Sequence, residues 1–226
     1  FSPEDQEKLL KKDDLENGSF DGKSISDNFG VKIASKVNQN TDQIRIKDDM
    51  EYKSGYCVVD YEAAQVNSLN MSTSDFVQKQ SMSLIVEKMQ QIIDAEAPIN
   101  YERLIRKTLR AFEIGRSSTQ TLEAADKAFK KVIAKLNKQN GIRFVWRKDQ
   151  NQDRYCIFRR DQGTGNKRSP NEICQQELKN VVCFTIQEKG SMDKERLIKE
   201  TIYVMGYVRS GAALVAAVEK GIKYGL

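Results

Sequence analysis

Apolar residues recur at intervals of three and four from residue 74 onward, and this spacing predicts amphipathic helices. The first covers residues 74–95 and ends before Pro98, because the residue before a proline is pushed out of the helical region. A second covers about residues 100–112 and ends at a turn that contains Gly115. A third begins after Ser118, which is a good helix cap. Its predicted buried side chains are Leu122, Ala125, Phe129, Val132, Ile133 and Leu136.

Aromatic and apolar residues alternate with arginine after Gly141, which is typical of β-strands. The pattern predicts two strands, over residues 142–147 and 154–160, joined by a polar turn. Ile142, Phe144 and Trp146 share one face of the first strand, and we expect Trp146 to face the core rather than to stack on an unpaired base. Three helices followed by a hairpin predict a winged helix-turn-helix within an α+β, mainly α, fold.

The helical pattern repeats further along the chain. A shift of 93 residues produces 11 identities, among them residues 102–105 with residues 195–198. We interpret this as a tandem duplication, with the second copy forming another helix-turn-helix-like unit of three helices. The third helix of this copy opens with apolar residues 211–218, so we expect it to pack in an interface. The helices predicted in the copy cover residues 169–189, 193–205 and 211–224.

Charge divides the chain. The net charge is +5, but residues 1–80 carry −5 and residues 81–226 carry +10. We therefore predict an acidic, polar, partly ordered arm over residues 1–72, a winged helix-turn-helix domain over 73–168 and the second unit over 169–226. Within the arm, a helix is predicted over residues 3–15 and short strands over 31–37, 43–47 and 56–61.

The chain has no histidine, which excludes a Ser-His-Asp triad, a Cys-His dyad and a histidine-ligated zinc. Four dispersed cysteines form no C-x-x-C pair, so we expect no metal site and a reducing, cytoplasmic environment. No apolar run is long enough to span a membrane, and no carboxylate cluster has a nuclease pattern. We expect neither a cofactor nor catalysis. The first residue, Phe1, suggests a piece of a longer protein.

The predicted hairpin is basic, since residues 141–168 hold eight Lys and Arg against three Asp and Glu. Together with the polar start of the third helix, this charge predicts nucleic-acid binding, with DNA favoured over RNA. Arg116 has two readings, a phosphate contact or a hydrogen bond to carbonyls of its turn. The alternative function is a protein-interaction module. The candidate contact residues are Arg116, Ser118, Thr119, Gln120, Lys127, Lys131, Arg143, Arg147, Lys148, Arg154, Arg159 and Arg160.

Several motifs resemble one family. They are residues 92–99, Leu104, Arg116, Arg159, Arg160, Pro170, Glu172, Ile173 and Gly206. Their order resembles the domain of unknown function at the C-terminal end of very large bacterial helicase-like proteins, whose earlier segments carry a superfamily-1 ATPase motor and a Vsr-like endonuclease segment. The resemblance covers about residues 61–226 and implies an accessory module of a nucleic-acid-dependent motor, with the remainder of that protein as its partner. The chain itself lacks a P-loop motif.

Overall fold

A computed structural model describes residues 51–53, 55–163 and 167–225. About half of these residues are helical, in an α+β fold with seven α-helices and two small sheets of three strands each among the residues described. None of the described helices is long and apolar enough to cross a membrane. The helix predicted over residues 3–15 and the strands predicted over 31–37 and 43–47 lie outside the described residues.

The first unit combines helices α1 to α4 with an antiparallel sheet. A 3₁₀ turn at Lys79–Ser81 separates α1 from α2, so the single helix predicted over residues 74–95 is interrupted. The sheet order is β3-β5-β4, with β3 lying between α2 and α3 in the sequence. The elements are α1 (Thr73–Phe76), α2 (Met82–Glu96), β3 (Ile99–Asn100), α3 (Tyr101–Ala111), α4 (Thr119–Phe129), β4 (Ala134–Gln139) and β5 (Ile142–Arg147).

The first unit has its own apolar core. The inner stripe of α2, which includes Ile85, Met89 and Ile93, is fully buried, as the three- and four-residue spacing predicts. Phe112, which directly follows α3, and Ala125 of α4 belong to the same buried cluster. Burial of these side chains fixes the three helices against one another.

The hairpin differs from the predicted one. Strand β5 pairs with β4, and the two strands are joined by Asn140 (φ 48°) and Gly141 (φ 83°). A two-residue Asn-Gly connection with both φ angles positive suits the twist of a β-hairpin. The third helix, which was expected to continue to Gly141, therefore ends at Phe129. The expected burial of three residues is wrong, since Leu122 on the helix is 40% exposed, and beyond it Ile133 is 65% exposed and Leu136 50%.

The second unit surrounds helices α5 to α7. Strand β6 lies in a different sheet from β5 and pairs in parallel with β2, so the predicted pairing of residues 154–160 with 142–147 is wrong. A 3₁₀ turn at Pro170–Glu172 precedes α5, where one continuous helix was expected. The elements are β1 (Glu51–Lys53), β2 (Tyr56–Asp60), β6 (Ile157–Arg160), α5 (Gln175–Lys189), α6 (Lys194–Val204) and α7 (Ala212–Gly225).

The two sets of helices correspond closely. Helices α5, α6 and α7 each begin 93 residues after α2, α3 and α4. The residues that follow α3 and α6 also correspond, because Glu113 (φ 59°) and Gly206 (φ 84°) both adopt the left-handed conformation. In each set of helices the next backbone N–H closes the helix end, from Ile114 to Leu109 O at 3.0 Å and from Tyr207 to Ile202 O at 3.1 Å.

A polar interface joins the units. Arg103 of α3 donates to Glu172 Oε2 at 2.6 Å, and Gln139 of β4 donates to Gln176 Oε1 of α5 at 2.7 Å. Trp146 faces this interface with no exposed surface, and its ring packs edge-on against Tyr155 at 5.0 Å. The units therefore share buried side chains.

Candidate nucleic-acid interface

The start of helix α4 presents polar side chains whose roles differ. Ser118 Oγ accepts from the Thr121 N–H at 3.2 Å, while Thr121 Oγ1 accepts from the Ser118 N–H at 2.8 Å. This capping box satisfies backbone donors that would otherwise lack partners. The Ser118 hydroxyl is thus engaged within the helix cap, whereas Thr119 and Gln120 are exposed.

Arg116 lies in the exposed turn before α4. Within the described part of the chain, no hydrogen bond or ion pair involves Arg116 or its counterpart Arg209. The helix end that precedes it is closed by backbone groups of Ile114 and Glu113 instead. The predicted bond from Arg116 to carbonyls of the turn is therefore not observed.

Exposed lysines follow α4 toward the hairpin. Lys127 lies in the last turn of the helix, Lys130 and Lys131 follow it, and Lys138 lies on β4. Of the carboxylates that the structure describes, none forms an ion pair with these four lysines. Their positive charge is consequently available to a ligand.

Glu123 and Asp126 are the acidic side chains on the exposed part of α4. Asp126 accepts a hydrogen bond from Tyr101 Oη at 2.5 Å, which ties α4 to α3. Glu123 remains exposed next to the lysine-bearing segment and reduces its positive potential.

Three of the predicted contact arginines pair with acidic side chains. Arg143 lies 3.9 Å from the centroid of the Tyr101 ring and 3.0 Å from Glu102 Oε1. Arg147 pairs with Asp149 at 3.1 Å, and Arg160 pairs with Asp60 at 3.2 Å. All three pairs are partly exposed, so each adds little stability.

Arg159, one of the predicted phosphate contacts, has a buried side chain whose donors are engaged within the protein. Its side chain is 9% exposed and donates to both oxygens of Glu177, as well as to the carbonyl oxygens of Glu96 and Pro98 at 2.7 Å. Strand pairing with β2 and packing on α5 bring it inside. A phosphate would have to displace the buried Glu177 carboxylate to reach it.

Glu177 is the acidic centre of this buried cluster. It is 1% exposed and also accepts from Arg168 Nη1 at 2.9 Å. Burial by itself would raise the pKa of Glu177, but the guanidinium groups of Arg159 and Arg168 outweigh it and hold the pKa below its usual range. The cluster is a structural unit that orients β6 on α5.

The remaining predicted residues lie apart from the hairpin turn. Lys148 and Arg154 are exposed in the loop that follows β5. The candidate set is therefore not a single patch, because strand β6 carries its arginines to another sheet. At least five of the eight cations in residues 141–168 form ion pairs with acidic groups in the folded chain.

Two exposed lysines near the hairpin lie outside the candidate contact residues. Lys130 and Lys138 flank the true hairpin, and neither was in the predicted set. The Asn140-Gly141 dipeptide was the available signal, because it is a strong indicator of a two-residue hairpin turn. A hairpin turn at Asn140-Gly141 places residues 134–139 in a strand and Lys138 next to the turn.

Among the described residues, no group of three or more Cys, Asp and Glu side chains is arranged to hold a metal ion.

Residues 74–120 match the family described as "Protein of unknown function (DUF3320)". These residues cover α2, β3 and α3, and they reach the first turn of α4. No curated protein and no solved structure matches the chain. The chain is thus similar, over its first helical unit, to a domain family of unknown function.

Proposed function

We propose that the first unit is a winged helix that binds nucleic acid, DNA rather than RNA, through α4 and the β4–β5 hairpin. The order helix, strand, helix, helix and hairpin supports this proposal, as does the sheet order β3-β5-β4. In this arrangement α4 takes the place of the recognition helix and the Asn140-Gly141 turn is the tip of the wing.

The observation that carries the proposal is a set of exposed cations without acidic partners. Unpaired lysines attract phosphates without first breaking an intramolecular ion pair. Thr119 and Gln120, at the exposed start of α4, offer hydroxyl and amide groups to base edges. The cations are Arg116, Lys127, Lys130, Lys131 and Lys138, each of which lacks an ion pair among the described residues.

We further propose that the second unit is a duplicated copy with a different role. Its helix α7 has Ala212 and Ala213 where α4 has Thr119 and Gln120, so polar groups are missing at the corresponding positions. Leu214, Ala217 and Val218 of α7 are buried in the core. On this reading the chain is an accessory module at the C-terminal end of a helicase-like ATPase, in which the first unit holds the substrate.

The duplication supplies a matched control for the binding test. Lys127 and Lys130 correspond to Lys220 and Lys223 under the 93-residue shift, and all four side chains are exposed. We propose to compare Lys127→Glu/Lys130→Glu with Lys220→Glu/Lys223→Glu, titrating each variant with single- and double-stranded DNA and with RNA at two salt concentrations. Both variants change the net charge equally, so a difference between them reports position.

The expected result is that the native chain binds with a log K that falls linearly with log salt, by about 0.9 per phosphate neutralised on double-stranded DNA. We expect the variant in the first unit to bind at least tenfold more weakly and the variant in the second unit to bind nearly as well as the native chain. Absence of binding at low salt, or equal losses in the two variants, contradicts the proposal.

A second candidate function is a protein-interaction module. It is favoured by the internal pairing of the hairpin arginines and by three exposed apolar side chains on α4 and around β4, Leu122, Ile133 and Leu136. On this reading Ile133→Ser/Leu136→Ser abolishes association with the remainder of the parent protein, whereas the variant at Lys127 and Lys130 does not. The opposite pattern, with loss of DNA binding only in the lysine variant, favours the winged-helix proposal.

A further inference from the structure

Two cysteines that are far apart in the sequence meet where β2 pairs with β6. Cys57 lies on β2, and Cys156 immediately precedes β6. Their Sγ atoms are 3.9 Å apart, and the Cys57 N–H donates to the Cys156 carbonyl oxygen at 3.1 Å. The side chains are 3% and 7% exposed.

This geometry suits a disulfide. Cys57 is in register with Ile157, so Cys156 lies one residue along the neighbouring strand. A strand spacing of about 4.8 Å and a rise of about 3.3 Å per residue place the two Cα atoms roughly 5.8 Å apart, within the range of about 4.4–6.8 Å that a disulfide spans. The other described cysteines lie differently, since Cys174 contacts Glu177 and Cys183 lies beside Tyr56.

We propose that Cys57 and Cys156 form a reversible intrachain disulfide, a modification site that fastens β2 to β6 when the chain meets a low-molecular-weight disulfide such as oxidised glutathione. The thiolate of one cysteine attacks the oxidant, forms a mixed disulfide and expels one glutathione thiolate. The second cysteine gives up its proton, attacks the protein sulfur of the mixed disulfide and expels the second glutathione thiolate. Two protein thiols are oxidised and one glutathione disulfide is reduced to two thiols.

The two thiols are not equivalent. The hydrogen bond that they share, together with burial, raises the pKa of Cys57. The same hydrogen bond lowers the pKa of Cys156. A lowered pKa increases the thiolate fraction of Cys156 while the two thiols are in contact. Because both side chains are buried, the first attack requires β2 to open from β6.

The bond would join positions 99 residues apart and tie β2 to β6 within the second unit. A cross-link that closes a long loop restricts the unfolded chain and stabilises the folded one. It also prevents β2 from separating from β6. Oxidation should therefore slow amide hydrogen exchange at residues 56–60 and raise the midpoint of denaturant unfolding.

The test uses the full chain, equilibrated in glutathione buffers of increasing oxidised fraction, once from the native state and once by refolding from denaturant. Free thiols are alkylated after denaturation, and linked peptides are mapped by mass spectrometry. We expect two of the four thiols to disappear, a mass loss of two hydrogens and a single link between Cys57 and Cys156. Reduction should restore all four.

Cys174→Ser/Cys183→Ser serves as the matched control and should form the same link, whereas Cys57→Ser and Cys156→Ser should form none. The proposal is overturned if all four thiols remain free by both routes. It is also overturned if the chain stops at a glutathione adduct, or if the links involve Cys174 or Cys183.

Discussion

At the scale of single residues, the decisive environment is that of Glu177. Its carboxylate is buried between Arg159 and Arg168, and the Tyr61 ring lies 4.6 Å from the Arg168 guanidinium. Charges in such a site depend on one another, because the loss of any one leaves the others buried without compensation. The same three residue types on the surface would be almost neutral in stability.

Glu177→Gln should therefore destabilise the chain by about 3–5 kcal/mol, because two guanidinium groups lose their counter-ion inside the protein. The free energy of unfolding from denaturant titration measures the change. Glu102→Gln is the control, since its bridge to Arg143 is exposed and should cost less than about 1 kcal/mol. Equal small losses in the two variants would show that Glu177 is solvated.

Stability should also fall in acid. Burial would raise the pKa of Glu172 and of Glu177, but hydrogen bonds and arginines lower both below the ordinary glutamate value of 4.5. A lowered folded-state pKa gives stability that is complete above pH ~4.5 and is lost as the pH falls through the folded value. Denaturant titrations at decreasing pH should show this loss, with a smaller slope in Glu177→Gln. A stability independent of pH in this range would contradict it.

At the scale of elements, two residues at the start of α4 have different roles, one structural and one proposed for binding. Ser118 caps the helix, whereas the exposed side chain of Gln120 makes no hydrogen bond to a residue within the described ranges. The sequence placed both residues in one candidate set because hydroxyl and amide groups are suited to either role. Only the hydrogen-bond geometry distinguishes them.

Ser118→Ala should lower the free energy of unfolding by about 1 kcal/mol, because the Thr121 N–H loses its acceptor. Gln120→Ala should leave stability within about 0.5 kcal/mol of the native value and should weaken DNA binding. Thermal unfolding and a DNA titration of each variant measure the two effects. The opposite result, in which Gln120→Ala loses stability and Ser118→Ala does not, would contradict the roles proposed for these two residues.

At the scale of the whole molecule, the units are held together by buried contacts of both polar and aromatic kinds. Trp146 belongs to the sheet of the first unit but packs against Tyr155 and Cys174, next to the second. The domain boundary predicted at residue 168 therefore separates residues that share an interface. Arg103 of α3 also crosses this boundary, because it forms an ion pair with Glu172.

We expect the chain to unfold in a single transition. Fluorescence of Trp146, the one tryptophan in the sequence, reports the interface, while circular dichroism reports mainly the helices. Their denaturation curves should coincide, because separating the units exposes the tryptophan and leaves buried charges without partners. Two transitions, with the fluorescence change preceding helix loss, would indicate independent units.

The sequence by itself determined most of the helices. The spacing of apolar residues located α3, α6 and α7 to within a few residues, and it located the C-terminal ends of α2 and α5 but not their starts, since a helix must bury one stripe. The 93-residue shift found in the sequence matches the offset between the starts of α2 and α5, of α3 and α6 and of α4 and α7. The Asn140-Gly141 turn was present in the sequence, but the apolar residues before it also fitted a helical period.

Tertiary structure alone decided the partners of strands and charges. Strand β6 pairs with β2, about a hundred residues earlier, and that pairing buries Arg159 and brings Cys57 to Cys156. Local pattern cannot specify such pairings, because a strand's backbone bonds are open to any neighbour of compatible shape. The net charge predicted for residues 141–168 was likewise a count of charged side chains along the sequence, without their partners in space. Which cations remain unpaired depends on acidic groups that folding brings close.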